Sequence, residues 1–348
     1  MKKLLLLLLA LPVLMLAQPK AGYYDAAVGK TDATLKTSLY SIISSGYVSK
    51  SYDYLYTIYQ TSDITADGNV WDMYSTCTWT PGVKKCGDYK VVCDCYNREH
   101  SIPQSWFNEA SPMKSDAFHV YPTDGKVNGE RGSYPFGECA NGTSLNKALG
   151  RKGSSTFPGY TGTVFEPVDE YKGDFARTYF YFATRYENIM NSIGGDSFSG
   201  NKYPALSAWS QELFLKWHRQ DPVSEKERAR NNAVEAHQKN RNPFIDYPML
   251  AEHIWGTKKG VAWSFTSGVD ALKIEFSIGP NPVQNKINIR TDEHDMTCSI
   301  FDLNGRLLME KSLPGTAELA VDMLENGMYL IKLTKGERNS IQKFIISK

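Results

Sequence analysis

Net charge is almost absent from this chain. Its 39 Lys and Arg against 38 Asp and Glu leave a formal +1 over 348 residues. No global electrostatic pull toward nucleic acid or an anionic membrane follows, so any attraction to phosphates has to be local. Long apolar runs are equally scarce. Beyond the N-terminal stretch, no segment reaches the ~20 residues of a membrane span. There is no internal repeat and no low-complexity tract outside that stretch. A His-Glu-x-x-His is missing, which argues against a zinc protease. Histidines and cysteines number only six each. What is present is a globular composition, 41% hydrophobic and 22% charged, with room for two or three domains.

The N-terminus reads as an export signal. Lys2 and Lys3 precede an apolar run over 4–16 broken only by Pro12, and Ala17 is a small residue suited to cleavage. The run is too short to span a bilayer, and Gln18 and Lys20 follow at once. Residues 1–17 are therefore expected to be a cleaved signal peptide, with passage through the periplasm. No cysteine lies near the cleavage point, which argues against a lipoprotein anchor. In an exported chain an even cysteine count points to disulfides. Cys77, Cys86, Cys93 and Cys95 form a dense group, but Cys93-Asp94-Cys95 is a C-x-C and not the C-x₂-C of zinc knuckles, so disulfides are preferred over zinc. Cys139 makes five candidates before residue 140, one of which is left over, and the pairing stays open. Cys298, in an alternating pattern, reads as a buried free thiol.

Residues 18–257 read as one mixed, helix-rich α+β domain. Leu35, Leu39, Ile42 and Ile43 mark a first helix, with Thr31 or Asp32 at its start and Gly46 past its end. A second short helix is expected over 52–59. The β-branched and aromatic content of 70–80 and 89–95 suggests strands. After Gly173-Asp174, the spacing of Phe175, Tyr179, Phe182, Tyr186 and Met190 predicts a helix with a buried stripe. Ser224 and Glu227 have the form of a capping box, opening a helix to about Gln238. Residues 258–275 read as a linker. Beyond them, alternating segments at 286–290, 297–301, 328–333 and 342–346, with a turn at 302–305, predict a small all-β sandwich over 276–348.

The most informative stretch is Asn97-Arg98-Glu99-His100-Ser101-Ile102-Pro103-Gln104-Ser105-Trp106, followed by Pro122-Thr123-Asp124-Gly125-Lys126-Val127-Asn128-Gly129-Glu130-Arg131. A carboxylate and a carboxamide oxygen suit a hard cation. A neutral imidazole suits proton removal from water. Together they suggest metal-assisted phosphodiester hydrolysis. Glu99 and His100 are neighbours, so they can share a site only where a strand ends or bulges, and Pro103 makes that reasonable. Asn128 falls in a short helix that Thr123 would cap. The other histidines, His119, His218, His237, His253 and His294, have no comparable context. Lys84, Lys85, Lys90, Arg98, Lys114, Lys126, Arg131, Lys147, Arg151 and Lys152 gather around the motif in sequence. Such a set contacts phosphates rather than bases, which favours little sequence preference. The run 240–246 reads as a helix-ending turn before it reads as a substrate contact.

These residues resemble the bacterial endonuclease I family, extracellular nucleases built on a ββα-metal, or His-Me, finger. The matching blocks run from Asn97 to Phe107, through Asp116, His119, Tyr121-Pro122 and Asn128-Gly129-Glu130-Arg131. They continue with Pro135-Phe136-Gly137, Phe165-Glu166-Pro167, Lys172-Gly173-Asp174, Trp217, Asp221-Pro222-Val223 and Asn240-Arg241-Asn242-Pro243-Phe244-Ile245-Asp246. The resemblance implies that His100 is the general base and that Glu99 and Asn128 hold one Mg²⁺, with Mn²⁺ or Ca²⁺ able to substitute. It implies an arginine at the phosphate, Arg131 first and Arg98 second, and DNA and RNA as substrates cut to 5′-phosphate ends. Arg98 and Lys126 are the expected substrate contacts. Ala117-Phe118 departs from the family pattern before His119, which makes His119 a supporting residue.

The tail resembles the C-terminal sorting domain of the type IX secretion system, on Gly279-Pro280-Asn281-Pro282-Val283, Phe301-Asp302-Leu303-Asn304-Gly305-Arg306 and Asn326-Gly327-Met328-Tyr329. It implies the secretion machinery as a partner and a secreted or cell-surface location. No stable protein partner is expected, and the chain reads as a monomer. The competing readings are another secreted metal-dependent phosphoesterase or protease, and a non-catalytic DNA-binding surface protein.

Overall fold

The computed structural model describes residues 19–265, 274–303, 305–336 and 338–348. The expected signal peptide lies outside them, as does the middle of the expected linker. The chain divides into two compact units between Ser264 and Phe265. Among the described residues, no helix is long and apolar enough to cross a membrane.

The first unit opens with α1 (Asp32–Ser44), which buries Leu35, Leu39 and Ile43. Gly46, at φ +69°, turns the chain away after it. α2 (Leu55–Ser62) starts later than its aromatic pattern suggests and buries Leu55, Ile58 and Tyr59, leaving Tyr52 ahead of it. The strands expected at 70–80 and 89–95 do not form. Asp72 instead gathers the local donors: Oδ1 accepts from the Tyr74 N–H at 2.8 Å, and Oδ2 from Ser75 Oγ at 2.6 Å and Trp79 Nε1 at 3.2 Å. A side chain that satisfies nearby backbone competes with a ladder. Disulfides fix the rest of this stretch, and its aromatics serve the core.

β1 (Tyr96–His100) pairs antiparallel with β2 (Val120–Asp124), from Tyr96↔Asp124 to His100↔Val120. α3 (Gly125–Arg131) follows without a break, giving the expected ββα finger. Its cap is Asp124 and not Thr123: Asp124 Oδ1 accepts from the Val127 N–H at 2.9 Å. A second hairpin joins β3 (Gly150–Ser154) to β4 (Thr163–Pro167).

The centre of this unit is α4 (Lys172–Arg185), buried at every residue. Phe175, Tyr179 and Phe182 lie within it, while Tyr186 and Met190 fall just past its end. α5 (Ala208–Gln220), α6 (Glu225–Gln238), α7 (Pro243–Asp246) and α8 (Leu250–Ile254) complete the unit. α6 begins as its sequence predicts. Ser224 Oγ accepts from the Glu227 N–H at 3.2 Å, and Glu227 Oε2 accepts from the Ser224 N–H at 2.9 Å. The same Oε2 takes Arg177 Nη2 at 2.8 Å, pinning α6 to α4. The 240–246 segment is a structural turn. Arg241 donates to both oxygens of Asp246, Asn242 Oδ1 caps α7, and Asn240 Nδ2 donates to Tyr181 Oη at 2.8 Å.

The second unit contains β5 (Ser277–Gly279), β6 (Lys286–Arg290), β7 (Met296–Phe301), β8 (Leu307–Leu313), β9 (Ala317–Ala320), β10 (Gly327–Lys335) and β11 (Arg338–Ile346). They form a three-stranded sheet, β5-β6-β9, and a four-stranded sheet, β11-β10-β7-β8. Ile287 and Ile289 of the first sheet and Ile300, Ile331, Leu333 and Phe344 of the second fill one core. The period-two alternation of β6 puts Ile287 and Ile289 inward and Lys286, Asn288 and Arg290 outward. Cys298 is a buried free thiol of that unit, as its pattern predicts.

Candidate active site

The ladder between β1 and β2 stops at His100, and the chain then turns through Pro103 into a short 3₁₀ segment, Gln104–Phe107. That ending lets two neighbouring side chains reach one place. Glu99 and His100 are 2% and 4% exposed, and both line a cleft of about 270 Å³ whose other walls include Tyr52, Arg98, Asn128 and Arg131.

Glu99 is held from one side only. Its Oε1 accepts from Tyr74 Oη at 2.9 Å and Arg131 Nη1 at 2.8 Å. Oε2 has no hydrogen-bond partner among the described residues. Burial pushes the Glu99 carboxyl up to about 7, against the opposing pull of Arg131 and the Tyr74 hydroxyl. The anion sits there at a cost that a cation in the cleft would offset. Asn128, half-buried on α3, brings an amide to the same cleft. An unshared carboxylate oxygen and an amide oxygen are the hard donors that Mg²⁺ or Ca²⁺ takes, with water and substrate oxygens completing the shell. Among the described residues there is no group of three or more His, Cys, Asp or Glu able to hold a metal; Glu99 and Asn128 are candidate ligands on their donor chemistry and shared cleft alone.

His100 is fixed by main chain. Its Nε2 lies 3.0 Å from the Lys114 carbonyl oxygen. A carbonyl can only accept, so Nε2 carries the proton and Nδ1 is left as the acceptor. Tyr52, Phe107 and His119 surround the ring at 5.8, 6.1 and 5.8 Å between centroids. Burial, aided by the neighbouring His119, holds the imidazole down to about 3, so it is neutral near pH 7. His119 itself is fully buried outside the cleft, with Nε2 donating to the Met113 carbonyl at 2.7 Å.

The two candidate arginines part company. Arg131 is 1% exposed; Nη1 donates to Glu99 Oε1 at 2.8 Å and to the His100 carbonyl at 2.7 Å, and Nη2 to the Ser101 carbonyl at 2.7 Å. It ties α3 to the end of β1 and has little left for a phosphate, contrary to its rank from sequence. Arg98 lies over the Tyr52 ring at 3.5 Å and the Tyr56 ring at 4.7 Å. Its Nη1 is used by the Tyr52 carbonyl at 3.1 Å and Asp53 Oδ1 at 2.8 Å, and Nη2 has no partner among the described residues. Lys126 does not line this cleft; with Lys90 and Lys147 it lines a separate groove. Sequence reasoning did not find Tyr52, Tyr74 or the Lys114 carbonyl. The first two carry no local signal, and a carbonyl belongs to every residue.

The Endonuclease I family model matches residues 31–249. This chain belongs to the endonuclease I family. An extracellular ribonuclease of Bacillus amyloliquefaciens is 37% identical over 246 residues, 67% of this chain and 78% of its own. An extracellular ribonuclease of Bacillus subtilis (strain 168) is 34% identical over 266 residues, 70% and 83% respectively. A periplasmic deoxyribonuclease of Aeromonas hydrophila is 29% identical over 138 residues, 40% and 50%. The second unit matches the secretion system C-terminal sorting domain over 277–347. The chain is therefore a nuclease, a hydrolase of the endonuclease I family, addressed by a type IX sorting domain to the exterior or the cell surface. Members of the endonuclease I family are typically metal-dependent.

In this endonuclease I unit the cysteine pairs are Cys77–Cys93 and Cys86–Cys95, leaving Cys139 buried and free. Both bonds sit against the start of the finger helix. Asp124 Oδ2 accepts from the Cys93 N–H at 2.7 Å, and the Gly125 N–H donates to the Cys95 carbonyl at 2.9 Å. A Cβ at Gly125 would lie 2.6 Å from Cys86 Sγ, so only glycine fits there.

Proposed function

We propose that the first unit hydrolyses phosphodiester bonds of DNA and RNA in the Glu99–His100–Asn128 cleft, with little sequence preference, leaving 5′-phosphate ends. The observation that carries this reading is the 3.0 Å bond from His100 Nε2 to the Lys114 carbonyl, which leaves Nδ1 as a base on a neutral ring lining the cleft. Water beside Nδ1 would pass its proton to the imidazole as its oxygen attacks phosphorus. Glu99 and Asn128 would hold one divalent ion, Mg²⁺ by donor chemistry, with Mn²⁺ or Ca²⁺ able to replace it. Bound there, the ion supplies positive charge for the phosphorane and the departing 3′ oxygen. Arg98, through its unengaged Nη2, orients a non-bridging phosphate oxygen. Arg131 keeps Glu99 and the end of β1 in register with α3. Relatives named as ribonucleases and as a deoxyribonuclease support activity on both nucleic acids.

The same reading takes residues 1–17 as a signal peptide, 18–264 as the catalytic domain, whose core takes in Trp263 at 1% exposure, 265–275 as a linker and the tail as a sorting domain handled after export, with the enzyme acting as a monomer. The deciding experiment is nicking of supercoiled plasmid and of RNA by wild type and His100→Ala, with and without EDTA. His100→Ala should fold normally by circular dichroism and lose about a hundred-fold or more in rate. EDTA should silence the wild type. A folded His100→Ala protein that cleaves at the wild-type rate would falsify the assignment.

A further inference from the structure

Tyr134 is the one exposed tyrosine among the described residues, at 42%. An exposed aromatic ring alone is ordinary. Its position is not. Gly132 and Ser133, the two residues before it, line the cleft. Gly132, at φ +59°, ends α3, and Tyr134 follows directly on the two lining residues without being part of the lining itself. The Tyr134 N–H donates to the Arg131 carbonyl at 3.4 Å, and a Cβ built on Gly132 would approach the ring at 3.9 Å, so the turn fixes where the ring begins. The Lys152 ammonium lies 5.4 Å from the ring centroid, is ion-paired with the Glu130 carboxylate at 2.5 Å and also donates to the Glu130 carbonyl at 3.1 Å, so its charge is already matched. An exposed aromatic ring that follows directly on the lining of the cleft matches how proteins grip unpaired nucleotides: the ring takes the base, and the paired Lys152 steadies the ring from beside it.

We infer that Tyr134 is a stacking platform for a nucleobase flanking the scissile phosphate, so that the enzyme takes unpaired nucleotides in preference to intact duplex. This rests on the proposed reading of the cleft as the nuclease centre. A base must leave its own stack to lie on the ring, and that costs least in a single strand. Every base presents a π-face, so such a platform adds affinity without reading sequence.

The test is steady-state cleavage of a single-stranded oligonucleotide by wild type, Tyr134→Ala, Tyr134→Leu and Tyr134→Phe, with His100→Ala alongside. A second substrate series carries one abasic site walked across the cleavage window. Tyr134→Ala and Tyr134→Leu should raise KM roughly five- to hundred-fold, the worth of one stacked base, with kcat changed by less than about two-fold. Tyr134→Phe should match wild type. An abasic site at the stacked position should raise the wild-type KM by the same factor and erase its advantage over Tyr134→Ala. Wild-type KM on the intact oligonucleotide retained by Tyr134→Ala would overturn the platform, as would an undiminished penalty at every abasic position. If His100→Ala is inactive while Tyr134→Ala equals wild type, only the platform falls. If His100→Ala cleaves normally, the reading of the cleft falls with it.

Discussion

Asp124 and Cys93 are joined by a 2.7 Å hydrogen bond from the Cys93 N–H to the carboxylate that also caps α3. The disulfide-bonded loop is thereby clamped to the start of the helix carrying Asn128. A third donor, the Asp124 N–H, reaches Asp72 Oδ2 at 3.0 Å, so the loop, the cap and the 72–79 turn form one support beneath the cleft.

Removing that support should cost activity as well as stability. Asp124→Ala loses the helix cap, worth about 1 kcal/mol, and leaves the Cys93 N–H without its acceptor, for a total of about 2–3 kcal/mol. Urea denaturation gives the first number. Plasmid nicking under folding conditions should show a further loss, because Asn128 rides on α3; unchanged nicking by the folded variant would disconnect cap from site.

The two disulfides make the same point chemically. They close short segments, with separations of 16 and 9 residues, each worth about 3 kcal/mol in the chain-entropy account. Cys86→Ser with Cys95→Ser, or dithiothreitol under native conditions, should lower the melting temperature and the nicking rate together. Full activity after mass spectrometry has verified reduction of both bonds would show that the loop does not position the helix.

Arg131 and Arg98 should fail in different ways. Arg131→Met strips Glu99 of its buried partner and releases two carbonyls, and should destabilise the fold by about 3 kcal/mol or more. Arg98→Ala gives up stacking on two tyrosines and a contact with exposed Asp53, a cost of about 1 kcal/mol. Its cleavage rate should nevertheless drop by about a hundred-fold through loss of the phosphate contact. Thermal melts and kcat/KM on the same preparations separate the two; equal stability losses with equal rate losses would argue against this division of labour.

Acid sensitivity should trace in part to Glu252. Burial alone would raise its carboxyl, but Arg219, with bonds of 2.7 and 2.9 Å, and the Thr257 N–H at 2.8 Å outweigh burial and hold it down to about 2. A depressed carboxylate contributes stability above its ordinary value of 4.5, and that contribution is lost as pH falls from there toward 2. Glu252→Gln should therefore be less stable than wild type near neutrality, with the gap closing through that acid window. Urea midpoints across the range test this, and a gap independent of pH would refute it. Because the Arg219 side chain is 48% exposed, salt should narrow the gap as well.

Cys139 and Cys298 are both buried and unpaired. Ellman's reagent should find no accessible thiol in the native enzyme and two after unfolding without reductant. A rapid native reaction would place one of them at the surface.

Much of this architecture could be read in the chain because its signals are local. The capping box at Ser224 and Glu227, the apolar spacing of α1 and α4, and the alternation of β6 need only a few neighbouring residues to be recognised. The 70–80 and 89–95 stretches misled for the complementary reason: Tyr74 and Trp79 look like strand residues but are drawn to the core by the Asp72 turn. At the cleft, Glu99, His100 and Asn128 stood out as residue types that fit one chemistry. The Tyr74 and Arg131 contacts to Glu99 cross 25 and 32 residues, and only the fold brings them together. Sequence places Arg131 at a phosphate; the fold puts it in the wall of the cleft, already bonded to Glu99 and two carbonyls.

The His100 proton position has an unusual kind of protection. Its determinant is the oxygen of a peptide group at Lys114, which every amino acid replacement at that position would retain. Single substitutions at Lys114 should thus be tolerated by the tautomer, and drift there is free to alter charge or size. Sensitivity moves to spacing: one residue inserted or deleted between Ser101 and His119 would rotate the peptide plane away and leave the ring to choose either proton site.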